Sequence, residues 1–186
     1  MKKILCALLA VVAAFGVACD KSTEIKVMSY NIRYLNNKDG ENHWDKRKHA
    51  SITMINEERP TVFGTQEGVW EQISYLIDNL PEYGHIGIGQ DDGKLDGEFM
   101  SIFYDKKQVE LLDSGIFWLS ETPDVPSIGW GASQHRSCMW TKMRMLSTGE
   151  EFFYLNTHLD HRSWPAREES VKLILARVEA LTGGSD

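Results

Sequence analysis

The sequence predicts a fold of mixed helix and strand in which helices cover the outer faces of sheets, of the α/β or α+β type. Three observations lead there. Up to residue 81 the apolar pattern alternates between short strand-like and longer helix-like runs, from residue 82 it changes towards period two, and a helical stretch follows near residue 165. A single tertiary core is expected, since the 186 residues are 42% hydrophobic and 25% charged and carry six Trp, six Tyr and seven Phe. Five Pro and fifteen Gly are too few and too scattered for a low-complexity linker.

Residues 1–18 stand apart from the fold. Lys2 and Lys3 precede an apolar run from Ile4 to Ala18, which is too short to span a membrane and has the layout of a secretory signal. Small residues, Gly16-Val17-Ala18, lead up to Cys19, and a Cys at the cleavage point is where bacterial lipoproteins are acylated. A lipoprotein-type signal is therefore preferred, with Cys19 as the lipidated residue and residues 19–24 as a tether. The protein is expected to be exported to the periplasm or outer membrane and held at the membrane by its lipid, with plain secretion as the second choice. Removing residues 1–18 takes away two Lys and no acid, which moves the formal charge from −7 to −9. Charge alone then cannot hold nucleic acid, and a phosphate-handling site needs metal ions or a local basic patch. With Cys6 in the signal and Cys19 lipidated, Cys138 is left alone and no internal disulfide is expected.

The first strand is read over Ile25 to Tyr34, where Val27, Met28, Tyr30 and Ile32 are dense in strand formers and Asn31 lies near the end. A helix follows over 45–58, with Asp45 as a cap, Ile52 and Ile55 on one face and Pro60 as the stop. Thr61 to Gln66 is a short apolar strand ending at Glu67. Val69 to Leu80 is a second helix, with Ile73, Leu76, Ile77 and Leu80 along one side and Pro81 closing it. Strands are then expected at 82–89, 98–105, 109–119, 137–147 and 151–157. Asp91-Asp92-Gly93 and Ser147-Thr148-Gly149-Glu150 supply turns, and 120–135 is a long irregular loop. The last helix, about 165–181, carries Pro165 in its first turn and sets Val171, Ile174, Leu175 and Val178 on one side.

Polar groups gather where strands begin or end: Ser29-Tyr30-Asn31-Ile32-Arg33, Gly64-Thr65-Gln66-Glu67-Gly68, Asp96-Gly97-Glu98-Phe99 and Asn156-Thr157-His158-Leu159-Asp160-His161. Ends of neighbouring strands converge, so these four stretches are candidates for one cleft. The last of them crowds His158, Asp160 and His161 onto the mouth of an apolar strand, where a carboxylate can orient an imidazole. His43, His49, His85 and His135 do not supply the regular spacing of a zinc site. Hard oxygen donors, Glu67 with Asp or Asn partners, suit magnesium, manganese or calcium better. Neither a Gly-x-Ser-x-Gly nucleophile nor a Walker loop is present in the sequence.

The stretches Val27 to Arg33, Thr65-Gln66-Glu67, Phe117 to Pro123 and Asn156 to His161 resemble the endonuclease/exonuclease/phosphatase superfamily, in particular bacterial lipoprotein or secreted members similar to nocturnin and the deadenylases. The resemblance covers nearly all of residues 25–181. It implies an α+β fold, a four-layer α/β/β/α sandwich occupying residues 25–186, with a divalent-metal phosphoesterase site at the strand ends. By the same resemblance Glu67 binds the metal, preferably Mg2+ with Mn2+ or Ca2+ possible. Asn31 positions the metal or the nucleophilic water, and His158 donates to the phosphoryl oxygens. Arg136 and Glu98 carry over as substrate-binding positions, and Asp160 and His161 either shape the substrate pocket or form a loop network that holds His158. Trp44, Trp130 and Trp164 are candidates for stacking on a base or sugar, or for packing. Gln90 stands where the family usually has Arg, and Gly131 where it has Asp.

The family also carries a strand ending in Gly-Asp-x-Asn and a terminal Ser-Asp-His, and neither string occurs in this sequence. The expectation is thus the N-terminal two-thirds of a nuclease-like phosphodiesterase, a chain without turnover of its own and with uncovered sheet edges. A phospholipid phosphodiesterase of the sphingomyelinase kind and a non-catalytic glycan-binding lipoprotein are the alternatives.

Overall fold

The computed structural model describes residues 24–184, so the signal and Cys19 lie outside the described residues. Ten regular elements follow in chain order: β1 (Val27–Asn31), α1 (Trp44–Glu58), β2 (Val62–Gly68), α2 (Trp70–Asn79), β3 (Tyr83–Ile86), β4 (Phe99–Asp105), β5 (Val109–Trp118), β6 (Ser137–Met145), β7 (Glu151–Thr157) and α3 (Trp164–Thr182). A 3-10 turn, Gly40–Asn42, precedes α1. The strands form two sheets, one in the order β1-β2-β4-β3 and one in the order β5-β6-β7. β1 runs parallel to β2, as a strand-helix-strand unit requires, and every other pairing is antiparallel.

Period-two alternation assigns each strand residue to one of two cores. Val62, Met100, Ile102, Val109, Met139, Met143 and Met145 fill the space between the sheets. Methionine suits that seam because its unbranched side chain fills irregular gaps between two twisted surfaces. Phe63, Phe99 and Phe103, on the alternate positions, face the helices, where they meet Trp44 and Ile55 of α1 and Ile73 and Leu76 of α2. Phe63 and Phe103 stack with ring centroids 4.7 Å apart. Beneath α3, Phe117, Leu119 and Cys138 form a third cluster with Leu155, Leu173 and Ile174. The layers are therefore α/β/β/α, the expected sandwich.

Two local expectations are corrected. His43, not Asp45, caps α1: its ring nitrogen accepts from the Asp45 backbone N–H. In α3 the apolar stripe splits, because Ile174 and Leu173 face the sheet while Leu175 is 63% exposed and Val171 44%. Ser163 caps that helix by accepting from Ala166 N, with Pro165 in the first turn as expected.

The two sheets are also joined by a polar link. Asn156 of β7 donates through Nδ2 to the carbonyls of Thr65 in β2 and Ser101 in β4, at 2.8 and 3.0 Å, and its Oδ1 accepts from Gln66 Nε2 at 2.7 Å. A side chain at Gly64 would collide with it, since a Cβ there would stand 2.5 Å from Asn156 Cγ. Asn156→Ala removes three buried hydrogen bonds and leaves a cavity, so it should lower the unfolding free energy by about 2–4 kcal/mol in a urea titration.

Candidate active site

Chain direction brings the functional groups to one end of the sandwich. β1 and β2 are parallel, so Asn31 and Glu67 leave their strands at the same edge, and antiparallel β4 starts beside them with Glu98 just before it. On the other sheet β7 ends at Thr157, with His158 next, while its antiparallel neighbour β6 begins at Ser137, with Arg136 just before it. Five strand ends thus deliver five chemistry-bearing side chains to one place.

Glu67 reaches the site through an irregular backbone. Strict alternation along β2 would turn it outwards with Phe63 and Thr65, away from Gly64 and Gln66, which face β7. Instead Glu67 has φ = 65°, and the β2–β4 register shifts between Thr65 and Gly68. A bulge of this kind re-aims a side chain, and a non-glycine residue with positive φ is strained. Gly68 is required beside it, because a Cβ would meet Ile73 Cδ1 at 2.7 Å and Ile32 Cδ1 at 2.8 Å.

The re-aimed carboxylate lies against Asn31, whose Nδ2 donates to Oε1 at 2.8 Å, while Tyr34 N donates to Oε2 at 2.9 Å. Asn31 Oδ1 accepts from Arg33 N. Burial pushes the Glu67 carboxyl up, but the bonds from Asn31 and Tyr34, together with nearby His158 and Arg33, outweigh it and hold the group below its ordinary value. His158 Nε2 stands 4.0 Å from Glu67 Oε1. Asn31, Glu67 and His158, distant in order, are therefore neighbours.

Among the described residues no three His, Cys, Asp or Glu side chains gather as a metal-binding group. The donor set still fits Mg2+, which is often held by one or two carboxylates with waters and substrate phosphates completing its shell. The ionised Glu67 carboxylate is such a ligand and would hold the ion, and Asn31, whose Nδ2 faces it while Oδ1 accepts from Arg33 N, would position that carboxylate.

Behind His158 lies a buried charge cluster. Arg136 is 2% exposed; its Nη1 donates to His158 Nδ1 at 3.2 Å and its Nη2 lies 3.4 Å from His161 Nδ1. Glu98 Oε2 and Asp160 Oδ2 each lie 3.6 Å from the guanidinium. The Asp160 carboxylate is taken up by the loop: Oδ2 accepts from Ser133 N and Oγ, and Oδ1 from Arg162 N and Ser163 N. Burial raises the Asp160 carboxyl, yet these bonds prevail and keep it far below the usual carboxylate range. Ser133, in the irregular 120–135 loop, had no sequence signal beyond its turn-forming type.

A small polar cavity of about 170 Å³ adjoins this end of the sandwich, lined by Tyr34, Gln90, Asp91, Gly97, Glu98 and Gln134. Gln134 Nε2 donates to Glu98 Oε1 at 3.2 Å. Gln90 is itself 2% exposed, and its carbonyl accepts from Trp118 Nε1. Of the candidate stacking residues, Trp44 is core, edge-on to Tyr75, and Trp130 packs beside Phe117; Trp164 is 68% exposed under the Arg167 guanidinium.

Two face-to-face sheets between helices thus bring a carboxylate, an amide and an imidazole together at shared strand ends. The chain belongs to the endonuclease/exonuclease/phosphatase family, whose members hydrolyse phosphate esters and generally depend on a divalent metal. A protein of that family from Bacteroides vulgatus is 40% identical and superposes with a TM-score of 0.85, over 87% of this chain and 62% of its own. A mannosyl-6-phosphatase from Bacteroides thetaiotaomicron is 39% identical, with a TM-score of 0.84 over 88% of this chain and 62% of its own. The human nocturnin catalytic domain, at 19% identity and a TM-score of 0.68 over 86% of this chain and 59% of its own, shares the fold alone. No family model matches the sequence. The chain thus spans about three-fifths of the length of these structures.

Asp160 links the site to acid stability. Its folded value is depressed, so its stabilisation is complete above its unfolded value of about 4 and is lost as pH falls towards the folded one. Asp160→Asn should cost about 2–4 kcal/mol at neutral pH and should flatten the acid side of a denaturation curve measured against pH.

Proposed function

We propose that this domain belongs to an exported, divalent-metal-dependent phosphomonoesterase that releases phosphate from a small polyhydroxylated compound such as a hexose phosphate. One observation carries the reading: the Glu67–Asn31 pair stands beside a half-open cavity of about 170 Å³ whose lining is polar and includes two acids. Amide and carboxylate groups of Gln90, Asp91, Glu98 and Gln134 offer both donors and acceptors, which suits hydroxyl groups. Two acids in that lining repel a polyanion, and a formal charge of −9 after removal of residues 1–18 does the same at long range. The mannosyl-6-phosphatase relative supports the same class. Nucleic acid, the sequence-based expectation, and phospholipid head groups become alternative outcomes of the test. The pattern of residues 1–19 supports export with Cys19 as the point of lipid attachment.

Within this reading Glu67, positioned by Asn31, would hold Mg2+, which when bound would supply polarisation of the phosphoryl group and stabilisation of the leaving oxygen. Glu67 stays ionised through Asn31 and Tyr34. His158 donates to a phosphoryl oxygen as negative charge builds there, a contribution of about 10²- to 10³-fold by analogy with oxyanion-hole donors. The cavity holds the alcohol portion. Gly-Asp-x-Asn and Ser-Asp-His, which in the family orient the attacking water, grip phosphate and transfer a proton, are not among these residues. The 186-residue chain is accordingly expected to bind metal without turning over substrate.

Hundredfold excess Mg2+ over its dissociation constant should raise the melting temperature of this chain by roughly 5–10 °C, and Glu67→Ala should abolish the rise. Hydrolysis of hexose phosphates, read as released phosphate, of RNA and DNA, read as strand cleavage, and of sphingomyelin, read as released phosphocholine, assayed with a protein extended through both missing motifs, tests the substrate. Release from the hexose phosphate, reduced about 10²- to 10³-fold by His158→Gln, is the expected result. Cleavage confined to RNA or DNA would overturn the substrate class.

A further inference from the structure

Arginine carries N–H donors and no acceptor, so any imidazole nitrogen that pairs with it must accept. Arg136 Nη1 is paired with His158 Nδ1 at 3.2 Å. A neutral ring whose Nδ1 accepts carries its proton on Nε2. That nitrogen is the one facing the site, 4.0 Å from Glu67 Oε1. We propose that Arg136 is a positioning residue that fixes His158 as the Nε2–H tautomer, so that its donor, and not a lone pair, points to where a phosphoryl oxygen would sit. The catalytic meaning rests on the phosphoesterase reading; the tautomer does not.

The need for such a device comes from Glu98. Its Oε2 is buried without a hydrogen-bond partner, 3.7 Å from the same His158 Nδ1 and 3.6 Å from Arg136 Nη1. Left alone with His158, that carboxylate would draw a proton onto Nδ1 and turn a bare Nε2 lone pair towards the phosphate, which is repulsive. Arg136 supplies the opposite instruction at shorter range. Its burial makes the instruction firm, since the guanidinium is held between Glu98 and Asp160 and its donors have little access to water.

His161 does not compete for the role. Arg136 Nη2 lies 3.4 Å from its Nδ1 and Arg162 Nε 3.2 Å from its Nε2, so donors face both of its nitrogens. A neutral ring accepts at one nitrogen only, and neither edge is left to serve a ligand. His158, with one nitrogen engaged by Arg136 and the other facing Glu67, is the ring that can donate.

Long-range ¹⁵N–¹H correlation spectra of the labelled, metal-free chain at about pH 8.5, above the ordinary imidazole value, read the tautomer directly. His158→Gln identifies the resonances. In the unmodified chain His158 should show an unprotonated Nδ1 and a protonated Nε2, with this form in about tenfold excess or more. Arg136→Met should exchange the two patterns as Nδ1–H turns to Glu98, and Arg136→Lys, which keeps a donor, should restore the original. An Nδ1–H or doubly protonated ring in the unmodified chain overturns the proposal, as does an unchanged ring in a folded Arg136→Met. Should Arg136→Met not fold, the Arg136→Met/Glu98→Gln pair removes the uncompensated carboxylate: a mixed or Nδ1–H ring there supports the proposal, and a retained Nε2–H excess overturns it. Failure of the extended protein to hydrolyse any phosphate ester would sink the phosphoesterase reading while leaving the tautomer result intact.

Discussion

The site depends on how far apart the two sheets are held at one end, and a single buried amide sets that distance. Asn156 binds Thr65 O and Ser101 O of the opposite sheet and accepts from Gln66. Gln66 is the residue before Glu67, and Asn156 stands two residues before His158, on the same face of β7 by period two. The cross-sheet link and the 4.0 Å separation of Glu67 from His158 are therefore consequences of one another. Apolar packing between the sheets supplies most of the attraction, but methionine-rich surfaces can slide, whereas three directional bonds cannot do so without leaving buried polar groups unpaired.

A second constraint is electrostatic. Three acids, Glu67, Glu98 and Asp160, crowd one end of an acidic molecule, and without compensation their mutual repulsion would favour protonation or opening of the site. The chain resolves this with different partners for each. Asp160 is satisfied by the loop that carries Ser133 and the N-terminal turn of α3, and Glu67 by Asn31 and a backbone N–H, while Glu98 is compensated only in part, by Gln134 at Oε1 and by the charge of the Arg136 guanidinium near Oε2. Of the three, Glu67 keeps a neutral hydrogen-bonded surround rather than a paired cation. It is the carboxylate left to attract an ion.

Much of this was legible in the residues, and what was not has a physical reason. Helix and strand positions followed from apolar periodicity and from Pro60, Pro81 and Pro165, with boundaries shifting by one to three residues at most strand ends. Convergence of Asn31, Glu67 and His158 was foreseen from their place at strand ends together with the family resemblance. The orientation of Glu67 was not, because period two puts it on the helix side of β2 and only its positive φ brings it round. Nor could sequence distinguish Arg136 as a buried partner of two imidazoles from an exposed phosphate grip, since both begin as an Arg before a strand. His43 displaced Asp45 as a cap because the helix starts one residue earlier, at Trp44, whose ring is needed in the core.

Strain and polarity together explain the irregular backbone at this end. Arg33 and Glu67 both have positive φ, at 66° and 65°; Glu67 directly follows the part of β2 paired with β1, and Arg33 stands one residue beyond Ile32, just past the end of β1. Buried Gln72 of α2 donates to Arg33 O, and Arg47 of α1 donates to Ile32 O, so both outer helices hold the turn that carries Tyr34 N to Glu67. Non-glycine residues persist in that conformation only where the surroundings over-determine them. Here they are fixed by two helices, by a bulge and by Gly68, whose missing Cβ admits Ile32 and Ile73. Regular strands would have left Glu67 facing the helices and Asn31 without its partner. The departures from ideal geometry are what turn the two polar ends of β1 and β2 into one group, an ionised carboxylate held in place by an amide.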